Sequence, residues 1–518
     1  MNSLLSVVTY LPALAALILL IFLRGKDAAA HRNARVLALV ASTATFVISL
    51  AIYNEFELSD TGFQMVEQYS WPLGFTYKVG ADGLSLFLIL MTTALMPIAV
   101  GTSWPVAERV KEYMILFLMM ETWVLLALTA LDITLFFVAL EAGLITGLLL
   151  VGGWGGKGAM QSAVKGWIHS LPGTVLLAAA FALIWAQAGS TDIEVLLAHS
   201  FSTDPMVVVG LTLSGGMQTL LFLALLAAFA LKMPVWPFHG WALSAQATAS
   251  TGTALLMAVI FAKVGAYGLL RFNVSMLPVA ADGLAWLGIA LGLVTTVFCA
   301  VAALRSEDLR RLLAYLSLAH LGIILIGMFA LNRHGLDGML LQMVIHGVVF
   351  AGLFVCAGIL QDRAKSVELD AFGGLIERMP MLALAFMVLS FSALGLPATA
   401  GFSSVFLTLT GAATVDVILP LIVALSLVVG GGALLWAYRR IIFGVLMKQA
   451  LQSVRDLSVP EVLMLLPILV IVIALGVSPG LVLDTTEPAV TQLLETHNSA
   501  LEEVGTINLT QPAEDSSN

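Results

Sequence analysis

Apolar runs of about twenty residues follow one another almost without pause along this chain, and such a run is what an α-helix needs to cross the hydrocarbon core of a bilayer. We read fourteen: 3–23, 34–53, 83–103, 113–130, 132–151, 163–187, 208–232, 253–272, 279–303, 309–331, 337–360, 379–402, 416–443 and 461–482. Inside lipid every peptide group must be satisfied by its own segment, so the spans are helical and the fold class is all-α, a polytopic membrane protein. With 60% hydrophobic and 11% charged residues over 518, the chain is far from the roughly 25% charged of soluble domains, which excludes a soluble enzyme. The first run is followed by Arg24-Gly25-Lys26 and lacks a basic leader and a small-residue cleavage site, so it reads as a retained helix.

Loop charge tests the count. Connections after spans 1, 3, 5, 9, 11 and 13 hold Arg24, Lys26, Arg32, Arg35, Arg109, Lys111, Lys157, Arg305, Arg310, Arg311, Arg363, Lys365, Arg378, Arg439, Arg440, Lys448 and Arg455, whereas the opposite loops hold only Lys78, Arg271 and Arg333. Basic loops face the cytoplasm, so both termini are expected outside. The net charge of −9 therefore belongs to the outer loops and tail, and nucleic acid is not an expected partner. Residues 484–518, without Lys or Arg, are expected to form a poorly ordered external tail. The aromatic residues of 54–82 (Phe56, Phe63, Tyr69, Trp71, Phe75, Tyr77) are expected to pack on helix ends. Cys299 and Cys356 form neither a disulfide framework nor an iron–sulfur spacing, so this chain is expected to carry no cofactor, no metal and no redox chemistry of its own.

The charged residues left inside the spans are few. Glu121, Glu141, Lys165, Lys232 and Lys263 sit there, and an ionised group near the bilayer centre costs about 2.5–3.5 kcal/mol. Lys165 lies near a span end and can snorkel. His320 and His346 occupy consecutive spans, with His169 and His239 elsewhere. A structural ion pair or satisfied core histidines would account for some of these groups. A row of titratable groups through several helices instead fits a proton pathway, since imidazole changes charge near physiological pH. Two spans also contain breaks: Lys232-Met233-Pro234 ends span 7, and Gly395-Leu396-Pro397 interrupts span 12. A membrane helix tolerates a break only where protein or water satisfies the freed backbone. Breaks five spans apart point to two five-helix repeats of opposite orientation. The expected organisation is thus 1–112 for spans 1–3 and the external loop, 113–272 for the first repeat, 273–445 for the second, 446–483 for span 14, and 484–518 for the acidic tail.

Leu140-Glu141-Ala142-Gly143, Phe229-Ala230-Leu231-Lys232-Met233-Pro234-Val235-Trp236-Pro237-Phe238-His239, Lys263-Val264-Gly265-Ala266-Tyr267-Gly268-Leu269-Leu270-Arg271-Phe272, Ala314-Tyr315-Leu316-Ser317-Leu318-Ala319-His320 and Gln342-Met343-Val344-Ile345-His346-Gly347 follow in order. Across nearly its whole length the chain resembles the antiporter-like membrane subunits of respiratory complex I, NADH-quinone oxidoreductase. It is similar to the M-type (subunit 4) branch as a divergent member, and more distantly to subunits of cation–proton antiporters and membrane hydrogenases. The resemblance implies a subunit of a bacterial inner membrane that moves protons while membrane and peripheral partners carry flavin, iron–sulfur clusters and quinone. It implies that Glu141 pairs with Lys232, and that Lys263, His320 and His346 continue the path. Glu121, Lys165, His239, Ser317, Ser403 and Ser404 are auxiliary candidates.

The resemblance also fails at two places. Where the family carries Leu-Pro-Asp-Ala-His-x-x-Ala-Pro after its histidine, this chain has Leu243-Ser244-Ala245-Gln246-Ala247-Thr248-Ala249-Ser250. Where the M-type subunit carries a glutamate in span 12, this chain has Val405, beside Ser403 and Ser404 that could hold water. Valine cannot take up a proton. The alternative readings are a structural paralogue that passes no protons and a subunit of a multi-subunit cation–proton antiporter or membrane hydrogenase.

Overall fold

The computed structural model describes residues 3–25, 27–70, 76–208, 210–444, 451, 453–503 and 505. Trp71, Phe75, Lys26, Lys448 and the end of the tail from 506 lie outside the described residues. The apolar runs form helices α1 (Leu4–Phe22), α2 (Ala28–Glu55), α3 (Leu86–Thr102), α4 (Val110–Thr129), α5 (Ile133–Trp154), α6 (Ala159–Ala188), α7 (Gly216–Lys232), α8 (Thr251–Val274), α9 (Ala285–Leu304), α10 (Leu309–Phe329), α11 (Arg333–Ala364), α12 (Pro380–Ala393), α13 (Ala400–Val415), α14 (Ile418–Ile442), α15 (Val459–Val477) and α16 (Gly480–Glu503). Eleven of these are long and apolar enough to cross a membrane, and α3, α7, α12 and α13 are shorter apolar helices. Helix starts follow local chemistry: the side chains of Asp27, Asp132, Asp308 and Asn332 each accept from a first-turn backbone N–H.

Every expected apolar segment is helical, with shifted boundaries at the two breaks. Span 7 does not begin at 208, because 206–208 and 211–213 pair as a short hairpin; the helix starts at Gly216 and resumes after the break as Gly240–Thr248. Span 12 does not end at 402. Gly395 and Ala398 take left-handed backbone angles, which no helix continues through, and a second helix, α13, then runs to Val415. Small extended pieces qualify the all-α reading: Gln64–Ser70 and Thr76–Ala81 form an antiparallel hairpin, β1 and β2, over the face poor in basic residues. Of the loop aromatics, Phe56 and Tyr77 are buried and Phe63 lies under Arg271, but Tyr69 is half exposed.

The tail is the clearest departure. Residues Gly480–Glu503 form an amphipathic helix that buries Val482, Ala489, Val490, Leu493 and Leu501 on one side, with Arg333 at the start of α11 bonded to both Glu487 and Thr491. Its apolar positions are small and sparse but fall at helical spacing.

Burial orders the helices. The apolar windows of α8 and α11 are wholly buried and that of α10 is 94% buried, whereas α1, α2, α6, α9, α14 and α15 expose large apolar side chains such as Leu20, Val40, Val175 and Leu421, as lipid-facing helices do. Lys263, His320 and His346 all stand on the three inner helices. These three titratable residues stand where lipid does not reach.

Candidate functional site

The first cluster forms where α7 stops. Lys232 is the last residue of that helix, and its fully buried ammonium lies 2.7 Å from Glu141 Oε1 on α5. Thr174 on α6 completes a triangle: its hydroxyl donates to Glu141 Oε2 at 2.9 Å, and Lys232 Nζ donates to the hydroxyl at 2.7 Å. Removing one partner of such a buried pair strands the other's charge, at a cost of about 3–5 kcal/mol. The pair is therefore an electrostatic unit whose members respond to each other.

Close packing brings α8 to the same break. A Cβ on Gly265 would lie 3.1 Å from Met233 N, so only glycine lets α8 approach the turn that follows Lys232. Two residues earlier on α8 stands Lys263, buried, with Nζ 2.5 Å from His346 Nδ1 on α11. The other ring nitrogen, Nε2, lies 3.1 Å from both the hydroxyl and the carbonyl of Ser317 on α10. Two groups that are cationic when protonated repel each other strongly at this distance in a buried site, so charge on one disfavours charge on the other.

A third cluster lies beside the second, with the His320 and His346 rings 6.0 Å apart. His320 Nδ1 is 2.7 Å from Gln342 Nε2, and Gln342 Oε1 accepts from the Ser404 hydroxyl at 2.5 Å. Ser404 belongs to α13 and is the neighbour of buried Val405. The polar row thus reaches the second half of broken span 12, where it ends on a hydroxyl and a neutral amide.

Glu141, Lys232, Lys263, His320, His346, Ser317 and Ser404 are brought together in this way. Other candidates are not. Glu121 is buried on α4 with neither carboxylate oxygen hydrogen bonded. Lys165 is exposed on α6, its Nζ facing Gly240, and His239 beside it packs edge-on against Phe298. Ser403 is half-buried with no hydrogen bond of its own. Pro234 and Pro397 sit in the breaks, as expected. In the altered stretch, Ser244, Ala245, Gln246 and Thr248 lie on the short helix Gly240–Thr248, and Ser250 joins a hydroxyl cluster with Tyr113, Ser103 and Thr253. Thr174 and Gln342 were not among the sequence candidates. Gln342 precedes His346 by four residues, a spacing that shares one helix face and could have marked it. Thr174 offered no such signal.

Comparison with known proteins follows the same lines. Residues 130–431 match the family described as NADH:quinone oxidoreductase/Mrp antiporter, transmembrane. NADH-quinone oxidoreductase subunit M of Rhodobacter capsulatus is 40% identical over 502 residues, covering 97% of this chain and 98% of the relative. NADH-ubiquinone oxidoreductase chain 4 of Arabidopsis thaliana is 33% identical over 488 residues, 93% and 95% of the two chains. Among solved structures, a chain of respiratory complex I from Thermus thermophilus with bound NADH superposes with a TM-score of 0.84 at 25% identity, covering 95% of this chain and 99% of that one. A chain of the Mrp complex from a Dietzia species shares the fold at 18% identity, with a TM-score of 0.81 and 96% and 99% covered.

Proposed function

Since this chain belongs to the NADH:quinone oxidoreductase/Mrp antiporter transmembrane family, we propose that it is the M-type, proton-translocating subunit of a complex I-like assembly. Quinone reduction takes place in partner subunits, which hold the flavin and iron–sulfur clusters; this chain holds no cofactor and supplies the proton path. The observation that carries the reading is the buried polar row itself: Glu141–Thr174–Lys232, then Lys263–His346–Ser317, then His320–Gln342–Ser404.

The proposed roles follow from charge. With Glu141 at 2.7 Å, the Lys232 ammonium is stabilised by a counter-charge in a site that otherwise disfavours it. A shift that draws Glu141 away lowers the proton affinity of Lys232, and each pKa unit corresponds to about 1.4 kcal/mol. The released proton passes to the Lys263–His346 pair on the next helix. By the loop charges, the face holding Arg24, Arg109 and Arg439 is cytoplasmic, both termini lie outside, and the membrane is the bacterial inner membrane.

Replacement of Lys232 by Ala tests the proposal. Reconstituted in vesicles, the assembled complex with Lys232→Ala is expected to move fewer protons per electron than wild type; an unchanged ratio would remove the first cluster from the path. One observation favours the alternative of a structural subunit that passes no protons: the row ends at Ser404 and Gln342, with Val405 where an acid would stand.

A further inference from the structure

The polar row has a second way out of the membrane besides span 12, along the outer half of α8. Lys263 and Tyr267 are four residues apart in the α-helical stretch Ala262–Gly268, which puts them on one side, and Arg271, in the π-helical stretch Leu269–Val274, bonds back to Tyr267. The Tyr267 hydroxyl oxygen accepts from Arg271 Nε at 3.3 Å and Nη2 at 3.2 Å, which leaves its own proton free to be donated elsewhere. The same Nη2 lies 2.5 Å from Asp82 Oδ2, so tyrosine and carboxylate flank one nitrogen. Arg271 and Asp82 are both buried, and Asp82 Oδ1 accepts from the Ser85 backbone at 3.0 Å.

These two side chains form the inner wall of a cavity of about 390 Å³ on the acidic face of the molecule. Ser275 and Phe63 line it, and its rim carries exposed Glu194, Gln492 and Thr496, the last two from α16. That volume and that rim suit water. A buried ion pair lining a polar vestibule, bonded to a tyrosine hydroxyl four residues along α8 from a mid-membrane lysine, contrasts with the valine and the neutral amide at span 12.

We infer that the proton leaves this subunit through α8, by way of Tyr267 to the Asp82–Arg271 pair and the vestibule beneath α16. A proton released by Lys263 is accepted at the Tyr267 oxygen as that hydroxyl gives up its own. Asp82 takes the proton as an O–H and parts from Arg271, then yields it to water in the cavity, and the ion pair re-forms. This rests on the proton-translocating reading above, so its test is arranged to separate the two.

In the assembled complex in vesicles, Asp82→Asn is expected to lower the protons moved per electron to the level of Lys263→Ala, and Asp82→Glu is expected to restore them. If Lys263→Ala lowers the ratio and Asp82→Asn does not, the outlet is wrong and the proton path stands. If neither lowers it, both fall. Independently of pumping, Ser275→Cys is expected to react with a membrane-impermeant maleimide added on the outer side only, and the buried native Cys299 and Cys356 give no background. Failure of Ser275→Cys to label in folded complex would overturn the vestibule.

Discussion

Where the resemblance places a glutamate this chain has Val405, and the polar groups next to it are tied to one another. Ser404 donates to Gln342, and Gln342 reaches His320, so the imidazole is tied to an amide that neither gains nor loses charge. Such a link orients His320 without offering it an acceptor. With the outlet at α8, restoring the acid brings nothing. Val405→Glu is therefore expected to leave protons per electron no higher than wild type in reconstituted vesicles. It is also expected to lower the thermal midpoint, because a carboxylate at this buried position is taken out of water. A rise in the ratio would instead make the missing acid the limiting step and return the exit to span 12. Residue by residue, the sequence carried Glu141, Lys232, Lys263, His320 and His346, because ionisable groups are conspicuous in apolar helices. Thr174 and Gln342 do equal hydrogen-bonding work but belong to types common in any membrane helix.

The elements were legible in proportion to their apolar length. Helices α4, α5, α10 and α11 stand where hydrophobicity puts them, because a span has little choice of structure. Periodicity said less about the ends of broken spans, where Gly395 and Ala398 adopt left-handed angles and the chain re-enters as α13. It said least about soluble-side pieces such as the β1–β2 hairpin and α16, whose order comes from tertiary contacts. The hairpin is held by Lys78, which bonds Asp192 at 2.6 Å and also Glu194. Burial works against the Lys78 ammonium, but the two carboxylates outweigh it and hold its pKa above the ordinary lysine range. A raised value stabilises the fold below the unfolded lysine pKa of about 10.4 and fades only as pH rises through the higher folded value. Limited proteolysis of the hairpin is therefore expected to stay slow from neutral pH up to about 10 in wild type and to be fast throughout in Lys78→Met. Equal protection in the variant would mean the hairpin is held by something else.

At the scale of the molecule, charge is sorted into layers. Basic residues collect in the loops after spans 1, 3, 5, 9, 11 and 13, most acidic residues in the remaining loops and the tail, and a short polar row crosses the three most buried helices. The asymmetry was readable from loop composition alone, because it depends only on which spans each loop joins. That α8, α10 and α11 are the helices shielded from lipid was not, since it depends on how the other helices pack around them. In the proposed mechanism this interior works by moving charge relative to charge, beginning with Glu141 against Lys232. Glu141→Gln keeps a side chain of the same size beside Thr174 and Lys232 and removes only the negative charge. Proton uptake per electron, measured in vesicles holding the assembled complex, is predicted to fall in Glu141→Gln to the level of Lys232→Ala; a ratio equal to wild type would contradict the account.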